Sequence, residues 1–219
     1  MLCLPLLAHA VSYHFLENNL LYFYQKKCEE NTWSVRKVCV DVIVELVRQA
    51  KTITVKEELS RWMLHFLKDG HKTVRINAHK ALPMFIGVVE LPKGSAVLER
   101  LLEQYIKLLD SDLNQQVGSN DIVRNVAYTF PAVLQAIGGD KWKQVLPLFN
   151  RMMKFLDKDI RIPLACSLHE IGRIIGPELS KDHLFPCLDN ILKDGCDELK
   201  LGSISHLTEF VEIFNSEIR

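Results

Sequence analysis

The sequence has no CxxC pair, no surplus of charge of either sign and no uncharged apolar run of membrane-spanning length. Each absence removes a class. Its 27 basic and 27 acidic side chains cancel, so no long-range field favours nucleic acid or an anionic membrane, and neither is expected as a partner. A bilayer-spanning helix needs about 20 consecutive apolar residues, and no such stretch occurs. The G-x-S-x-G, P-loop and G-x-G-x-x-G patterns are also missing, which leaves no signature of a hydrolase elbow or a nucleotide cradle. The six cysteines (Cys3, Cys28, Cys39, Cys166, Cys187, Cys196) are scattered and read as reduced side chains, several of them buried.

What is present is a period. Val35-Arg36, Val74-Arg75, Val123-Arg124, Ile160-Arg161 and the weaker Leu199-Lys200 recur at steps of 39, 49, 37 and 39 residues. A period near forty belongs to paired-helix solenoids, in which each repeat buries its apolar face by stacking on its neighbours. Three places past each basic residue stand Cys39, Ala78, Ala127, Leu164 and Ser203; seven past, Ile43, Leu82, Pro131, Leu168 and Leu207; ten past, Leu46, Phe85, Leu134, Ile171 and Phe210. Those offsets share one stripe of an α-helix.

Fourteen places before the basic residue, a first helix carries Tyr22, Arg61, Pro147 and Pro186. The two prolines are expected in a first turn, where a missing N–H has no partner to lose. A short polar turn follows each first helix, and Thr73, Asp121, Asp159 or Asp197 is expected to cap the second. Pro83 and Pro131 lie inside the second helices and should bend them.

The expected architecture is therefore an all-α solenoid of about five helix pairs, over residues 18–55, 56–94, 95–139, 140–178 and 179–219, with 1–17 as the tail of an incomplete repeat. The chain opens inside a repeat and closes without a polar cap, as a piece of a longer solenoid would. Leu2 to Leu7 is apolar and precedes Ala8-His9-Ala10, but no basic residue stands before it, and it is shorter than a signal core of roughly 7–15 residues. A soluble protein of the cytoplasm, with the nucleus as a second location, is expected.

The repeats resemble those of the HEAT family, which includes the scaffold subunit of type 2A phosphatases and the importin-β transport receptors. Within it, four segments are similar to the family of regulatory subunit 1 of phosphatase 4. They are Trp33-Ser34-Val35-Arg36-Lys37-Val38-Cys39, Ala127-Tyr128-Thr129-Phe130-Pro131, Ser167-Leu168-His169-Glu170-Ile171, and Phe185 through Lys193, ending Leu-Lys-Asp. That family carries a long acidic insert between its repeat blocks, where this chain has only Leu91-Pro92-Lys93-Gly94-Ser95.

The resemblance implies a protein without catalytic chemistry or cofactor that holds a serine/threonine phosphatase catalytic subunit and influences which phosphoproteins reach it. In HEAT scaffolds the turns inside the repeats form the ridge that meets partners, which here points to Trp33, His71, Lys72, Asn120, Lys158 and Asp197. Trp33 offers large contact area at small entropy cost, or serves as a lid over its own repeat. Arg36, Arg75, Arg124 and Arg161 are expected to ladder to Asp69, Asp121, Asp159 and Asp197 in adjacent turns, fixing the stacking of neighbours. An importin-β-like transport adaptor and a truncated paralogue acting as a generic interaction scaffold are the alternatives. Transport of basic cargo would call for an acidic inner face, against which the charge balance argues.

Three sharper chemistries find partial matches in the sequence. Cys166 with His169 and His183 with Cys187 have ligand-like spacing, but lie inside the amphipathic pattern of neighbouring helices. Asp110 to Asp121 has calcium-loop length with Asp110, Asp112 and Asn114 in place, yet Gln115 stands where the turn wants glycine. Ser167, His169 and Glu170 do not converge on one reacting atom from a single helix.

Overall fold

The computed structural model describes residues 19–109 and 121–215, and every regular element among them is a helix. The chain divides between residues 117 and 118 into two compact units, each considered by itself. The leading segment 1–17 and the loop from Asp110 to Asn120, with its calcium-like spacing and the candidate Asn120, lie outside the described residues.

The first unit contains α1 (Leu21–Cys28), α2 (Trp33–Gln49), α3 (Ile53–Phe66), α4 (Lys72–Val89) and α5 (Ala96–Ile106), which ends in a 3-10 turn at Lys107–Leu109. α1 packs on α2 and α3 on α4 across short turns, while α2 lies along α4 and α3 along α5. First helices and second helices thus form separate layers, the arrangement of an α-solenoid. The second unit follows the same plan with α6 (Asp121–Ile137), α7 (Trp142–Met153), α8 (Lys158–Cys166), α9 (Leu168–Ile175), α10 (Phe185–Leu192), α11 (Asp197–Ile204) and α12 (Leu207–Asn215). The second-helix layer here is α6, then α8 and α9, then α11 and α12.

The stripe read from the sequence is the core. Cys39, Ala78, Ala127, Leu164 and Ser203 are buried, and so are Leu46, Phe85, Leu134, Ile171 and Phe210; of the middle set, Pro131 and Leu207 are half-buried. The small residues Cys39 and Ala78 sit where α2 and α4 approach, and Tyr24 reaches in from α1 to donate a hydrogen bond to the Cys39 carbonyl at 3.0 Å. Cys28 and Cys39 are buried free thiols, and Cys166, Cys187 and Cys196 are half-buried free thiols.

Prolines depart from expectation in one helix. Pro147 lies inside α7 instead of in its first turn, because the helix starts five residues earlier at the fully buried Trp142. Pro83 and Pro131 lie inside continuous helices. An internal proline costs about 3 kcal/mol. Burying one Leu or Phe returns about 1.5–3 kcal/mol, so two stripe residues outweigh it. The second helix after Arg161 is split, however, into α8 and α9 at Ser167, whose φ of −100° and ψ of 8° leave the helical region. The Ser167 hydroxyl donates to the Pro163 carbonyl at 2.8 Å, a local bond that competes with the helical ladder.

The helix starts are also displaced from their expected caps. His71 accepts from the Thr73 amide, and Asp157 from the Asp159 amide, so the capping residue stands two places before the one anticipated; Cys196 precedes α11, with Asp197 in its first turn.

Gly139 permits the closest backbone approach in the second unit. A Cβ there would lie 2.3 Å from the Ile174 carbonyl oxygen. Gly139→Ala is expected to lower stability by about 1–3 kcal/mol in urea denaturation. Gly70→Ala, where a Cβ would meet nothing within 4 Å, is expected to stay within about 0.5 kcal/mol.

Candidate functional site

Two surfaces carry the chemistry: the turns joining first to second helices, and the exposed face of the second-helix layer in the second unit. In the turns, Asp69, Asp157 and Asp194 share one geometry. Each carboxylate accepts a hydrogen bond from the amide two residues on, at 2.8, 3.0 and 2.8 Å, to His71, Asp159 and Cys196. This Asx turn holds the other side of the carboxylate towards the preceding second helix. From there an arginine 33 residues earlier meets it each time.

Arg36 is the most complete case. Its Nε and Nη2 donate to the two oxygens of Asp69 at 2.7 and 2.8 Å, while Nη1 donates to the Glu30 and Asn31 carbonyls at 2.7 and 3.0 Å. Arg75 treats its own turn identically, with Nη1 on the Asp69 and Gly70 carbonyls at 2.7 and 3.0 Å. One guanidinium therefore ties its own turn to the next. The Asp69 side chain is 3% exposed, and the hydrogen bonds from Arg36 hold its carboxyl below the usual range, against the opposing effect of burial.

Arg124 reaches Asp157 at 2.8 Å and Asp159 at 3.3 Å from a more exposed position, and Arg161 reaches Asp194 at 2.5 Å. Asp69 is thus the acid anticipated, whereas the other rung acids differ. Asp121 opens α6 on the same helix as Arg124, Asp159 is a secondary contact, and Asp197 pairs with Lys200 at 3.5 Å. The rung needs the residue that makes the Asx turn, and Asp159 and Asp197 lie just beyond it.

Several of the ridge candidates are engaged within the chain. Trp33 stacks on His71 with ring centroids 4.4 Å apart and 6° between planes, leaving the indole 43% exposed. Lys158 pairs with Glu198 at 2.6 Å, and Lys72 is exposed.

The second surface is an open groove of about 520 Å³ on the second helices, lined among others by Tyr128, Pro131, Pro163, His169, Glu170 and His206. A shallower hollow shares Pro131, Ala132 and Glu170 with it and adds Arg173. Tyr128 stands at its edge, 72% exposed. The imidazoles of His169 and His206 stack at 4.3 Å with 17° between planes, and the buried Nδ1 atom of each has no hydrogen-bond partner. Burial first, and then the neighbouring His206, push the His169 pKa below its ordinary value. Ser167 donates its hydroxyl to backbone carbonyls and is not presented as a nucleophile.

An exposed tyrosine, two half-covered imidazoles and a Glu/Arg rim suit a protein segment laid across the helices. The cysteine–histidine pairs are separated: Cys166 and His169 line this groove, His183 and Cys187 a crevice between α7 and α10. No local pattern announces the groove, because Tyr128 comes from α6, His169 from α9 and His206 from the turn between α11 and α12. One signal was available: Tyr128 is four places past Arg124, off the buried stripe, and an aromatic there must face outward.

Residues 126–219 match the family described as protein phosphatase 4 regulatory subunit 1 middle domain. Serine/threonine-protein phosphatase 4 regulatory subunit 1 of Homo sapiens is 29% identical over 123 residues, covering 56% of this chain and 13% of that protein. The Mus musculus protein of the same name is 30% identical over 129 residues, covering 58% and 13%. The chain thus bears a partial resemblance to these proteins and spans 13% of their length. Every groove residue named above lies within the matched stretch.

Two outcomes follow from the geometry. Arg36→Ala strands a covered carboxylate and is expected to cost about 2–3 kcal/mol, read by urea denaturation, with a smaller loss for the exposed Arg124→Ala. Asp69 has its folded pKa below the ordinary 3.8, so the rung contributes fully above that value and fades as pH falls through the folded one. The gap between wild type and Arg36→Ala should therefore narrow below about pH 4. His169 also has a folded pKa below its ordinary 6.5, but it must stay neutral to stay packed, so its surroundings lose stability as pH drops below 6.5. Protection factors in α9, corrected for the intrinsic slowing of exchange, are expected to fall between pH 7 and pH 5.5, and His169→Gln should flatten that response.

Proposed function

We propose that this chain is a non-catalytic helical-repeat scaffold, a single array over residues 1–219, that binds a serine/threonine phosphatase catalytic subunit of the type 4 and type 2A group and modulates dephosphorylation of phosphoproteins. The observation that carries the reading is the coincidence of two stretches: the residues matching the phosphatase 4 regulatory subunit 1 middle domain and those lining the second-helix groove. Its exposed Tyr128 supplies the large, low-entropy contact typical of interface anchors. The turn ridge supports the reading less, since Trp33, His71 and Lys158 are already engaged within the chain. Phosphoprotein selection would then arise from what the scaffold holds near the catalytic subunit, and no cofactor enters.

The test is capture of purified phosphatase 4 catalytic subunit on the immobilised chain. Binding at micromolar concentration or below is expected, weakened at least about fivefold by Tyr128→Ala, a change of about 1 kcal/mol or more. Because Tyr128 is exposed, the variant should keep the wild-type circular dichroism spectrum. No capture at about 10 μM by a chain of intact helicity would overturn the proposal.

A further inference from the structure

The crevice between α7 and α10 lies apart from the groove and plays no part in the assembly proposed above. It holds about 230 Å³ and is lined by Asn150 and Lys154 from the end of α7, Arg161 from α8, His183 and Asn190 from the α10 side, and Asp194, with apolar walls that include Met153 and Ile191.

Arg161 departs there from the pattern of the other rungs. Arg36 and Arg124 each turn Nε and Nη2 to the aspartate of the next turn. Arg161 gives Asp194 its Nη1 alone, and its Nε is buried without a hydrogen-bond partner. A buried donor left unpaired is unfavourable, more so when it carries charge, so it calls for an acceptor. Asp194 leaves that donor unmet, its Oδ2 taking Arg161 Nη1 and its Oδ1 the Cys196 amide.

The rest of the lining favours a negative visitor. Lys154 has no ion-pair partner among the described residues, so two cations face the single fixed carboxylate of Asp194. Asn150, Asn190 and His183 add donors, and apolar walls strengthen charge-assisted bonds by excluding water. The Cys187 thiol in the same lining is pushed up to about 12 by burial, so it adds no opposing charge at neutral pH.

We infer that this crevice is a binding site for an oxyanion, the carboxylate or phosphoryl group of an anionic side chain on a partner protein, with Arg161 Nε and Lys154 as its principal donors. The inference stands on the geometry alone and survives if the phosphatase reading fails.

The test is nitrogen-15 NMR of the arginine Nε–H region of the full chain, at pH 7 and constant ionic strength, with the Arg161 signal assigned through its own side-chain carbons. N-acetyl-phosphoserine amide and N-acetyl-glutamate amide are the two probes, with chloride as reference. A saturable shift of the Arg161 signal is expected, half-complete in the millimolar range as suits a single small anion. Lys154→Gln, at an exposed site, should raise that concentration at least about threefold while leaving the remaining spectrum in place. The probe that saturates first identifies a phosphoryl or a carboxylate ligand. A shift no larger than chloride produces, or one that Lys154→Gln does not weaken, would overturn the inference.

Discussion

No helix pair in this chain can hide its apolar stripe by itself, and that constraint organises everything else. The stripe through Cys39, Ile43 and Leu46 on α2 finds its cover on α4, the equivalent element of the next pair. Stacking supplies the energy but not the register, since an apolar stripe would tolerate sliding. Register comes from the turns, where a guanidinium fixed to its own carbonyls also grips the carboxylate 33 residues on. The apolar stripe holds the pairs together; the rung says where.

How much of this could be read beforehand follows from the range of each interaction. The stripe was legible because an α-helix repeats every 3.6 residues, and offsets of three, seven and ten from Arg36 or Arg75 return to the same side. The rung was legible in its arginines and blurred in its acids. Two aspartates share each of the later turns, and only the backbone geometry distinguishes Asp157 from Asp159, or Asp194 from Asp197. Pro147 misled for a similar reason: Trp142 extends the helix backward, and tertiary burial overrides the local preference of proline for a first turn. The groove was the least legible feature, since Tyr128, His169 and His206 come to one surface only once α6, α9 and the turn between α11 and α12 are stacked.

The same division separates structure from function. Polar groups in the turns are mostly consumed by bonds within the chain, down to the Trp33–His71 stack. On the second-helix face fewer are so engaged: the Tyr128 ring is exposed, and the buried Nδ1 atoms of His169 and His206 have no hydrogen-bond partner, that of His206 standing 3.8 Å from a Glu209 carboxylate oxygen. A surface whose groups are unsatisfied by its own fold is the better candidate for a partner, which is why the functional reading rests on the groove.

The most direct test of the rung as the device that sets register is a double-mutant cycle on Arg36→Ala and Asp69→Asn, read by urea denaturation. Asparagine keeps the carbonyl oxygen that accepts the His71 amide, so the cycle separates the pairing from the turn. A coupling free energy of at least about 1 kcal/mol between the two positions is predicted. Additive losses, with coupling indistinguishable from zero, would contradict the account.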